Sequence, residues 1–283
     1  MKFIRLYLLV LIPIMAQMPT HVFDTFKSTR LANISTVEQL YEGTLELAIA
    51  HRFGDAHSGI REFFGLDVSP SMYLMFDYGI TDDIQLGVAR YSRQKVYEIS
   101  GKYRFFRQQR DDSTPLSLSM LATMMFQTEE FQEEKSLLTQ LLIARKLGSV
   151  VSIQLSPFIV QRFESEQLDA GNFLTVGSQM VYGTGVSARF AIGKHNTIFL
   201  EWSDVFNKDD WNKNSLTRDQ IKGGVFSIGY NIEVAGHTFQ LIVSNTAKLN
   251  RHKSILGYSD GKQDLLDGHF YLGFNLTRLF NLN

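Results

Sequence analysis

The chain ends in a strongly alternating stretch, and this alternation constrains the fold more than any other feature of the sequence. Between residues 268 and 280, apolar and polar side chains follow each other with a period of two. The apolar face carries Phe270, Leu272, Phe274 and Leu276, and the opposite face carries Tyr271, Gly273, Asn275 and Thr277. This period is that of a β-strand, and about ten residues suffice for a tilted strand to cross a bilayer.

The same alternation recurs along the chain and predicts an all-β fold. About twelve such segments lie between residue 43 and the C-terminus, although residues 116–126 alternate poorly. A soluble sandwich or barrel also alternates, but nothing in the sequence would cover so many aromatic apolar faces. An even number of strands with apolar outer faces predicts a transmembrane up-and-down antiparallel β-barrel of the outer-membrane type.

The links between the predicted strands differ in length at the two ends of the barrel. The longer links are mostly at one end, at 54–70, 127–135, 164–172, 207–221 and 246–267. The links at the other end are mostly short, at 81–83, 107–115, 148–149, 193–196 and 233–236. Outer-membrane barrels have long extracellular loops and short periplasmic turns. We therefore expect the long links to face the outside of the cell.

The N-terminus predicts export. Residues 1–5 are basic, residues 6–15 are apolar, and residues 14–16 can serve as a cleavage site. This arrangement is typical of a secretory signal peptide, here residues 1–16, and an uncleaved anchor helix is the alternative. Residues 17–42 show no strand period, so we place them as an N-terminal periplasmic segment, in the periplasm or at the barrel mouth. Residues 43–283 form the predicted outer-membrane barrel.

The composition excludes several classes of function. The formal net charge of -1 argues against nucleic-acid binding, and the absence of cysteine removes disulfides and thiolate ligands. The acidic residues of the long links lack the spacing of a calcium-binding loop. No cofactor and no metal site is therefore predicted.

Polar side chains on the inward strand faces are the candidate functional residues. The predicted lumen-lining set is Glu46, Asp77, Glu98, Lys102, Arg104, Arg189, Glu201, Gln240 and Asn275. Because both signs of charge are present, these groups could line a polar channel or neutralise one another in a filled lumen. The sequence leaves both interpretations open.

The predicted function is that of a passive pore or uptake channel for a small solute. The alternative is a non-conducting structural or docking barrel that binds a partner through its extracellular loops, above all 54–70 and 246–267. No catalytic residues are expected, because His57 and Ser58 are neighbours that would point in opposite directions on an extended chain. The expected partners are outer-membrane lipid, lipopolysaccharide and the barrel-assembly machinery, which would bind the C-terminal strand. The protein partner is unknown.

Several short stretches form an ordered series along the mature chain. They lie at 25–30, 51–55, 64–67, 78–82, 101–103, 236–241 and 273–275. Taken together, they resemble an uncharacterised family of outer-membrane β-barrels, a domain of unknown function widespread in Bacteroidota. The resemblance implies a single barrel domain in the outer membrane, and it supplies no substrate and no catalytic residue.

Overall fold

The computed structural model describes residues 20–129, 132–163, 165–169, 172–213, 220–257 and 269–282. The predicted signal peptide, residues 1–16, lies outside the described residues. No helix within these ranges is long and apolar enough to cross a membrane. Fourteen strands are described, and twelve of them form one closed antiparallel barrel.

The strands are numbered β1 to β14 in chain order. Their bounds are β1 Thr44–Asp55, β2 Ser71–Thr81, β3 Ile84–Tyr91, β4 Val96–Phe106, β5 Ser117–Glu129, β6 Gln132–Leu147, β7 Val151–Arg162, β8 Ser165–Asp169, β9 Asn172–Val176, β10 Gln179–Ala191, β11 Asn196–Val205, β12 Val225–Val234, β13 His237–Ser244 and β14 Tyr271–Asn281. Two short α-helices, α1 (Lys208–Lys213) and α2 (Lys253–Leu256), lie in the links, as do two 3-10 helices (Ala56–Gly65 and Arg93–Lys95).

The barrel closes where the first strand pairs with the last. β1 and β14 run antiparallel from the pair Thr44 and Asn281 to the pair Asp55 and Tyr271, with one register shift. Every other barrel strand pairs with its neighbours in the chain, except that β7 pairs directly with β10. The predicted barrel of about twelve strands is therefore confirmed.

Two predicted loops are partly strand. Residues 128–129 and 132–135 extend the pairing of β5 and β6, with Glu129 opposite Gln132. Residues 165–176 form the β8–β9 hairpin, which touches the barrel through the pair Gln132 and Gln167. These predictions were wrong because a polar hairpin that extends from the barrel rim can continue the strand ladder without an apolar face.

The two faces of the wall follow the predicted alternation. On β14, Tyr271, Gly273, Asn275 and Thr277 are buried, and the residues between them are partly or fully exposed. Exposed side chains on the outer face are apolar, as Leu86, Val88 and Ile99 illustrate. This apolar outer face is the surface that a lipid bilayer covers.

The links are long at one end of the barrel and mostly short at the other. We call these the loop end and the turn end. The turn end holds the two-residue link between β2 and β3 and the two-residue link between β12 and β13. The loop end holds the link between β13 and β14, which begins after Ser244 and reaches Tyr271. Residues 42 and 282, which flank the barrel domain, lie at the turn end because β1 begins there and β14 ends there.

The lumen is filled by two segments that are not part of the wall. The luminal segment, residues 20–42, reaches in from the turn end, and the cap segment, residues 245–257, reaches in from the loop end. Most residues of both segments are buried. The predicted position of residues 17–42 is the periplasm or the barrel mouth, but the described part of this stretch lies deeper, inside the barrel. The reason is that its apolar side chains, Phe26, Leu31 and Val37, pack on apolar groups of the inner wall such as Leu142 and Phe199.

Candidate functional site

All nine predicted lumen-lining residues lie on the inward face of the wall and are buried. They are Glu46, Asp77, Glu98, Lys102, Arg104, Arg189, Glu201, Gln240 and Asn275. The structure does not bring them together as one cluster. Most of them bind the luminal segment or the cap segment, so the lumen is organised around these two segments.

The luminal segment folds into a tight hairpin inside the barrel. Arg30 and Ser35 form a bridge, and the amide of Leu31 donates to the carbonyl of Ile34 at 2.9 Å. The amide of Thr36 donates to the carbonyl of Thr29 at 2.9 Å. These backbone bonds leave residues 31–34 as the tip of the hairpin, surrounded by the wall.

Side chains of the wall bind the backbone of this hairpin. Arg52 Nη2 donates to the carbonyl of Ala32 at 3.1 Å, and Asn275 Nδ2 donates to the carbonyl of Leu31 at 3.0 Å. The carboxylate of Glu201 accepts a bond from the amide of Ile34 at 3.1 Å. Gln154 accepts a bond from the amide of Val37 and donates to the carbonyl of Ser35. Gln240 donates to Ser28 and Arg30, and Lys102 donates to the carbonyl of Glu38.

The cap segment inserts three basic residues among acidic residues of the wall. Arg251 Nη2 lies 3.1 Å from Asp77 Oδ2, and the Nδ1 atom of His252 lies 3.3 Å from Glu98 Oε1. Lys253 Nζ lies 3.2 Å from a carboxylate oxygen of Glu134. These carboxylates come from β2, β4 and β6, so the basic tripeptide spans one side of the lumen.

The residues around Arg251 stabilise its positive charge. Burial alone lowers the pKa of Arg251, but the neighbouring Tyr73, Asp77 and Glu98 outweigh burial and hold this pKa above its ordinary value. Asp77 and Glu98 are thus neutralised by the cap segment, because buried charges require partners.

The two segments meet inside the barrel. Arg30 Nη2 of the luminal segment donates to the carbonyl of Leu249 at 2.6 Å and to Ser254 Oγ at 3.3 Å. Its guanidinium also lies over the ring of Tyr73, 5.2 Å from the centroid. Burial lowers the pKa of Arg30. The two segments therefore meet within the lumen, one reaching in from each end.

Two of the predicted residues differ from the others. Arg104 lies near the turn end, where its Nε atom is 2.9 Å from Asp83 Oδ1 in the link between β2 and β3. Arg189 has no hydrogen-bond or ion-pair partner within the described part of the chain, and its Nε atom is buried. The carboxylate of Glu46 accepts a hydrogen bond from the hydroxyl of Thr29, so Glu46 is one of the wall residues that bind the luminal segment.

The lumen also contains buried polar residues outside the predicted set of nine, although the alternation already placed Arg52 on an inward face. Arg30, Arg52, Glu134, Arg251 and Lys253 are all buried there and all make polar contacts across the lumen. The signal that could have found the cap segment is the run of three basic residues at 251–253 in a long link. The carboxylates that pair with this run are Asp77 on β2, Glu98 on β4 and Glu134 on β6.

A second polar group lies at the loop end. His269 Nδ1 is 2.5 Å from Asp55 Oδ2, and the rings of His57 and His269 are 4.5 Å apart. The hydroxyl of Ser58 donates to the carbonyl of Asp55 at 2.7 Å. No group of three or more metal-binding side chains is found among the residues that the structure describes.

The family assignment follows from the whole length of the barrel. Residues 26–280 match the domain family described as "Membrane bound beta barrel domain (DUF5777)". The chain belongs to this family. The matched range covers the luminal segment from Phe26 and all twelve barrel strands, so the DUF5777 domain includes the luminal segment as well as the wall.

Solved structures show the same fold for this DUF5777 barrel. The COG4313 outer membrane channel from Pseudomonas putida F1 aligns with a TM-score of 0.53 at 11% identity, covering 86% of this chain and 97% of that chain. The NanC porin aligns with a TM-score of 0.50 at 9% identity, covering 83% of this chain and 99% of that chain. No curated protein matches the sequence. The chain is therefore a membrane-bound β-barrel with the fold of outer-membrane porins and channels.

Proposed function

We propose that the protein is a gated passive channel for a small polar solute in the outer membrane, exported through the signal peptide at residues 1–16. The luminal segment and the cap segment act as the gate, and the conformation described above is its closed state. The predicted lumen-lining residues Glu46, Asp77, Glu98, Lys102, Arg104, Arg189, Glu201, Gln240 and Asn275 form the wall of the solute path when the gate opens.

The observation that carries this proposal is the large number of polar atoms on the inner wall that have no protein partner. Among the described residues, these buried atoms include Arg52 Nε, Gln140 Nε2, Ser187 Oγ, Glu201 Oε1 and Asn231 Oδ1. Buried polar groups require hydrogen bonds, and water supplies them where protein does not. The inner wall thus carries more polar groups than the two segments bind. This surplus favours a lumen that can fill with water.

The way in which the segments are attached also supports a gate. Neither segment contributes a strand to the barrel, so moving either one leaves all twelve strand pairings intact. Beside the apolar contacts of both segments with the wall, the attachments are hydrogen bonds and ion pairs that water can replace. Each bond of this kind contributes only about 0.5–3 kcal/mol net.

Single-channel recording in planar bilayers tests the proposal. We expect the mature chain to show rare, discrete openings, and Arg251→Gln to make them more frequent because Asp77 loses its cationic partner and Glu98 keeps only His252. Lys222→Gln is the matched control, since Lys222 is exposed at the loop end. Silence of all three proteins, each shown to be folded by its faster mobility on unheated gels, would exclude the channel.

A non-conducting docking barrel is the second candidate. It is favoured by the apolar tip of the 3-10 helix Ala56–Gly65 at the loop end, where Ile60 is 82%, Phe63 is 54% and Phe64 is 46% exposed. Exposed apolar side chains of this density are typical of contact sites. A folded but silent barrel in the same recordings would favour this function.

We also propose that the barrel is not a hydrolase. The hydroxyl of Ser58 is bound to a backbone carbonyl, and the ring of His57 stacks beside His269, so neither is arranged as nucleophile and base. We expect no labelling by a fluorophosphonate probe. Labelling that disappears in Ser58→Ala would overturn this proposal.

The proposed partners are outer-membrane lipid, lipopolysaccharide and the barrel-assembly machinery. The apolar outer face supports lipid contact. The alternating strand β14, which ends in Leu279-Phe280-Asn281, is the segment that the assembly machinery would bind. We expect Phe280→Ala to slow assembly in vesicles that contain this machinery, and an unchanged rate would exclude the side chain from recognition.

A further inference from the structure

A cavity of about 640 Å³ lies at the turn end of the lumen. It is enclosed by the start of the luminal segment, the link between β4 and β5, and the link between β6 and β7. Its wall includes Phe23, Gln108, Arg110, Arg145 and Lys146. We call it the turn-end cavity.

The turn-end cavity is positively charged. Arg110, Arg145 and Lys146 line it, and Asp112 is the acidic residue among its lining residues. Asp112 pairs with Arg145 at 3.0 Å. The described bonds of the other two cations go to neutral carbonyls: Lys146 Nζ donates to Phe23 at 2.6 Å, and Arg110 Nε donates to His21 at 3.4 Å. Neither Lys146 nor Arg110 therefore pairs with a carboxylate among the residues that the structure describes.

A third cation lies in the same row of the inner wall. Lys146 of β6 is paired in register with Ser152 of β7, which is paired with Arg189 of β10. Neighbouring strands are about 4.8 Å apart, so the Cα atoms of Lys146 and Arg189 are roughly 10 Å apart. Arg189 is only 2% exposed, and neither Arg189 Nε nor Ser152 Oγ has a hydrogen-bond partner within the described residues.

The carboxylates near Arg189 are bound to other groups. Asp24 and Glu233 both pair with Lys27, at 3.3 and 2.7 Å. Burial lowers the pKa of Lys27, but the bonds to these two carboxylates outweigh burial and raise the pKa overall. Glu38 accepts a bond from the amide of Phe26 at 3.0 Å. The guanidinium of Arg189 therefore remains available to another anion.

We propose that a small molecule bearing a carboxylate or a phosphate binds at the inner end of the turn-end cavity, where Lys146 lines the cavity and Arg189 lies two strands away in the same row of the wall. A guanidinium and an ammonium on either side of a serine hydroxyl supply charge-assisted donors to an oxyanion from one side of the lumen. The site itself does not require the barrel to conduct. Its role as the last subsite for an anionic solute that leaves at the turn end rests on the proposed channel function.

Titration calorimetry of the folded barrel in a zwitterionic detergent tests the site, with inorganic phosphate and citrate as the probes. We expect saturable binding of at least one probe, weakened by about tenfold or more in Arg189→Gln and in Lys146→Gln, because a charge-assisted bond is lost in each. Lys194→Gln is the matched control, since Lys194 is exposed in the turn between β10 and β11 at the same end. The control should bind like the parent chain.

Absence of saturable binding for both probes would overturn the site. An equal loss of affinity in Lys194→Gln would also overturn it, because it would indicate unspecific attraction of anions to the turn end. Unheated gel mobility shows whether each variant is folded, and Lys146→Gln decides the matter if Arg189→Gln does not fold. If the barrel binds the probes but never conducts, the anion site is supported and the channel function is excluded. If the barrel conducts without binding either probe, the channel function is supported and the anion site is excluded.

Discussion

At the scale of single residues, the lumen is organised by wall side chains that bind backbone atoms of the segments inside it. Arg52 illustrates this arrangement, because it is fully buried and reaches the carbonyls of Ala32 and His51 together with the amide oxygen of Asn275. The inward direction of Arg52 was predictable from its place in the alternation. Its partners were not, because 20 residues separate Arg52 from Ala32 and 223 separate it from Asn275.

Replacing Arg52 by leucine should loosen the luminal segment. The carbonyl of Ala32 would lose a charged donor, and a hydrogen bond of this type contributes about 1.5–3 kcal/mol. We expect limited proteolysis to cleave residues 20–42 faster in Arg52→Leu than in the parent barrel. Arg61→Leu, at an exposed loop-end position, is the control and should be cleaved at the parent rate. Equal protection of both variants would contradict a holding role for Arg52.

Gly79 shows a second residue-scale constraint, at the point where the luminal segment joins the wall. A Cβ atom at this position would collide with the carbonyl oxygen of Tyr41, which is backbone and cannot move aside easily. We expect Gly79→Ala to lower the free energy of unfolding by roughly 1–3 kcal/mol, as overpacking does. Urea titration of the folded barrel measures the change.

Gly101→Ala is the matched control for this substitution. An added Cβ at Gly101 would lie 3.6 Å from the side chain of Leu86, which is an ordinary contact. Its free energy of unfolding should stay within about 0.5 kcal/mol of the parent value. Equal stability of the two variants would show that the close approach of Tyr41 and Gly79 is not required.

At the scale of elements, the irregular patterning of β5 and β6 has a physical cause. Leu121 of β5 and Leu142 of β6 face inward and pack against Phe26, Leu31 and Val37 of the luminal segment. A wall that faces only water inside would carry polar groups at these positions. Weak alternation in residues 116–126 was therefore a sign of an occupied lumen, although the sequence alone does not say which segment occupies it.

The strand faces were predictable because alternation is a local property, but the occupants of the lumen were not. Residues 20–42 and 245–257 have no period, and their contacts join positions far apart in the chain, such as Arg30 with Leu249. Which segments occupy the lumen depends on which apolar and charged surfaces fit together after the barrel closes. Asp77 and Glu98 were correctly expected to point inward, but their pairing with residues 251–253 depends on the path of a long link.

A disulfide can test whether the luminal segment is the gate. The chain has no cysteine, and Asn33 Nδ2 lies 2.8 Å from Ser227 Oγ of β12. We expect the double substitution Asn33→Cys and Ser227→Cys to abolish channel openings when oxidised and to restore them when reduced. Asn33→Cys alone should be insensitive to oxidant. Openings that persist in the cross-linked barrel would exclude the tip of the luminal segment from gating.

At the scale of the whole molecule, the two ends of the barrel predict its orientation. The turn end holds residues 42 and 282 at the limits of the barrel and most of the short links, whereas the loop end holds the long links. Outer-membrane barrels place their short turns in the periplasm. The loop end should therefore face the outside, with Ile60, Phe63 and Phe64 at the cell surface.

Peptide tags can verify this orientation in intact cells. A tag inserted after Gly59 at the loop end should bind an antibody on whole cells, because this stretch is exposed beyond the wall. A tag inserted after Gly148, in the turn between β6 and β7, should bind only after the outer membrane is permeabilised. The opposite pattern of accessibility would reverse the proposed orientation.

The order of segments along the chain has a consequence for how the barrel is made. The luminal segment precedes β1, yet its tip is held by Glu201 of β11, Ser227 of β12 and Asn275 of β14. These strands are among the last to be synthesised, and β14 is the strand that closes the ring on β1. The contacts that hold this tip can therefore form only when β11, β12 and β14 are in place, late in the closure of the ring. A variant that lacks the luminal segment should lose these contacts while all twelve strand pairings remain possible.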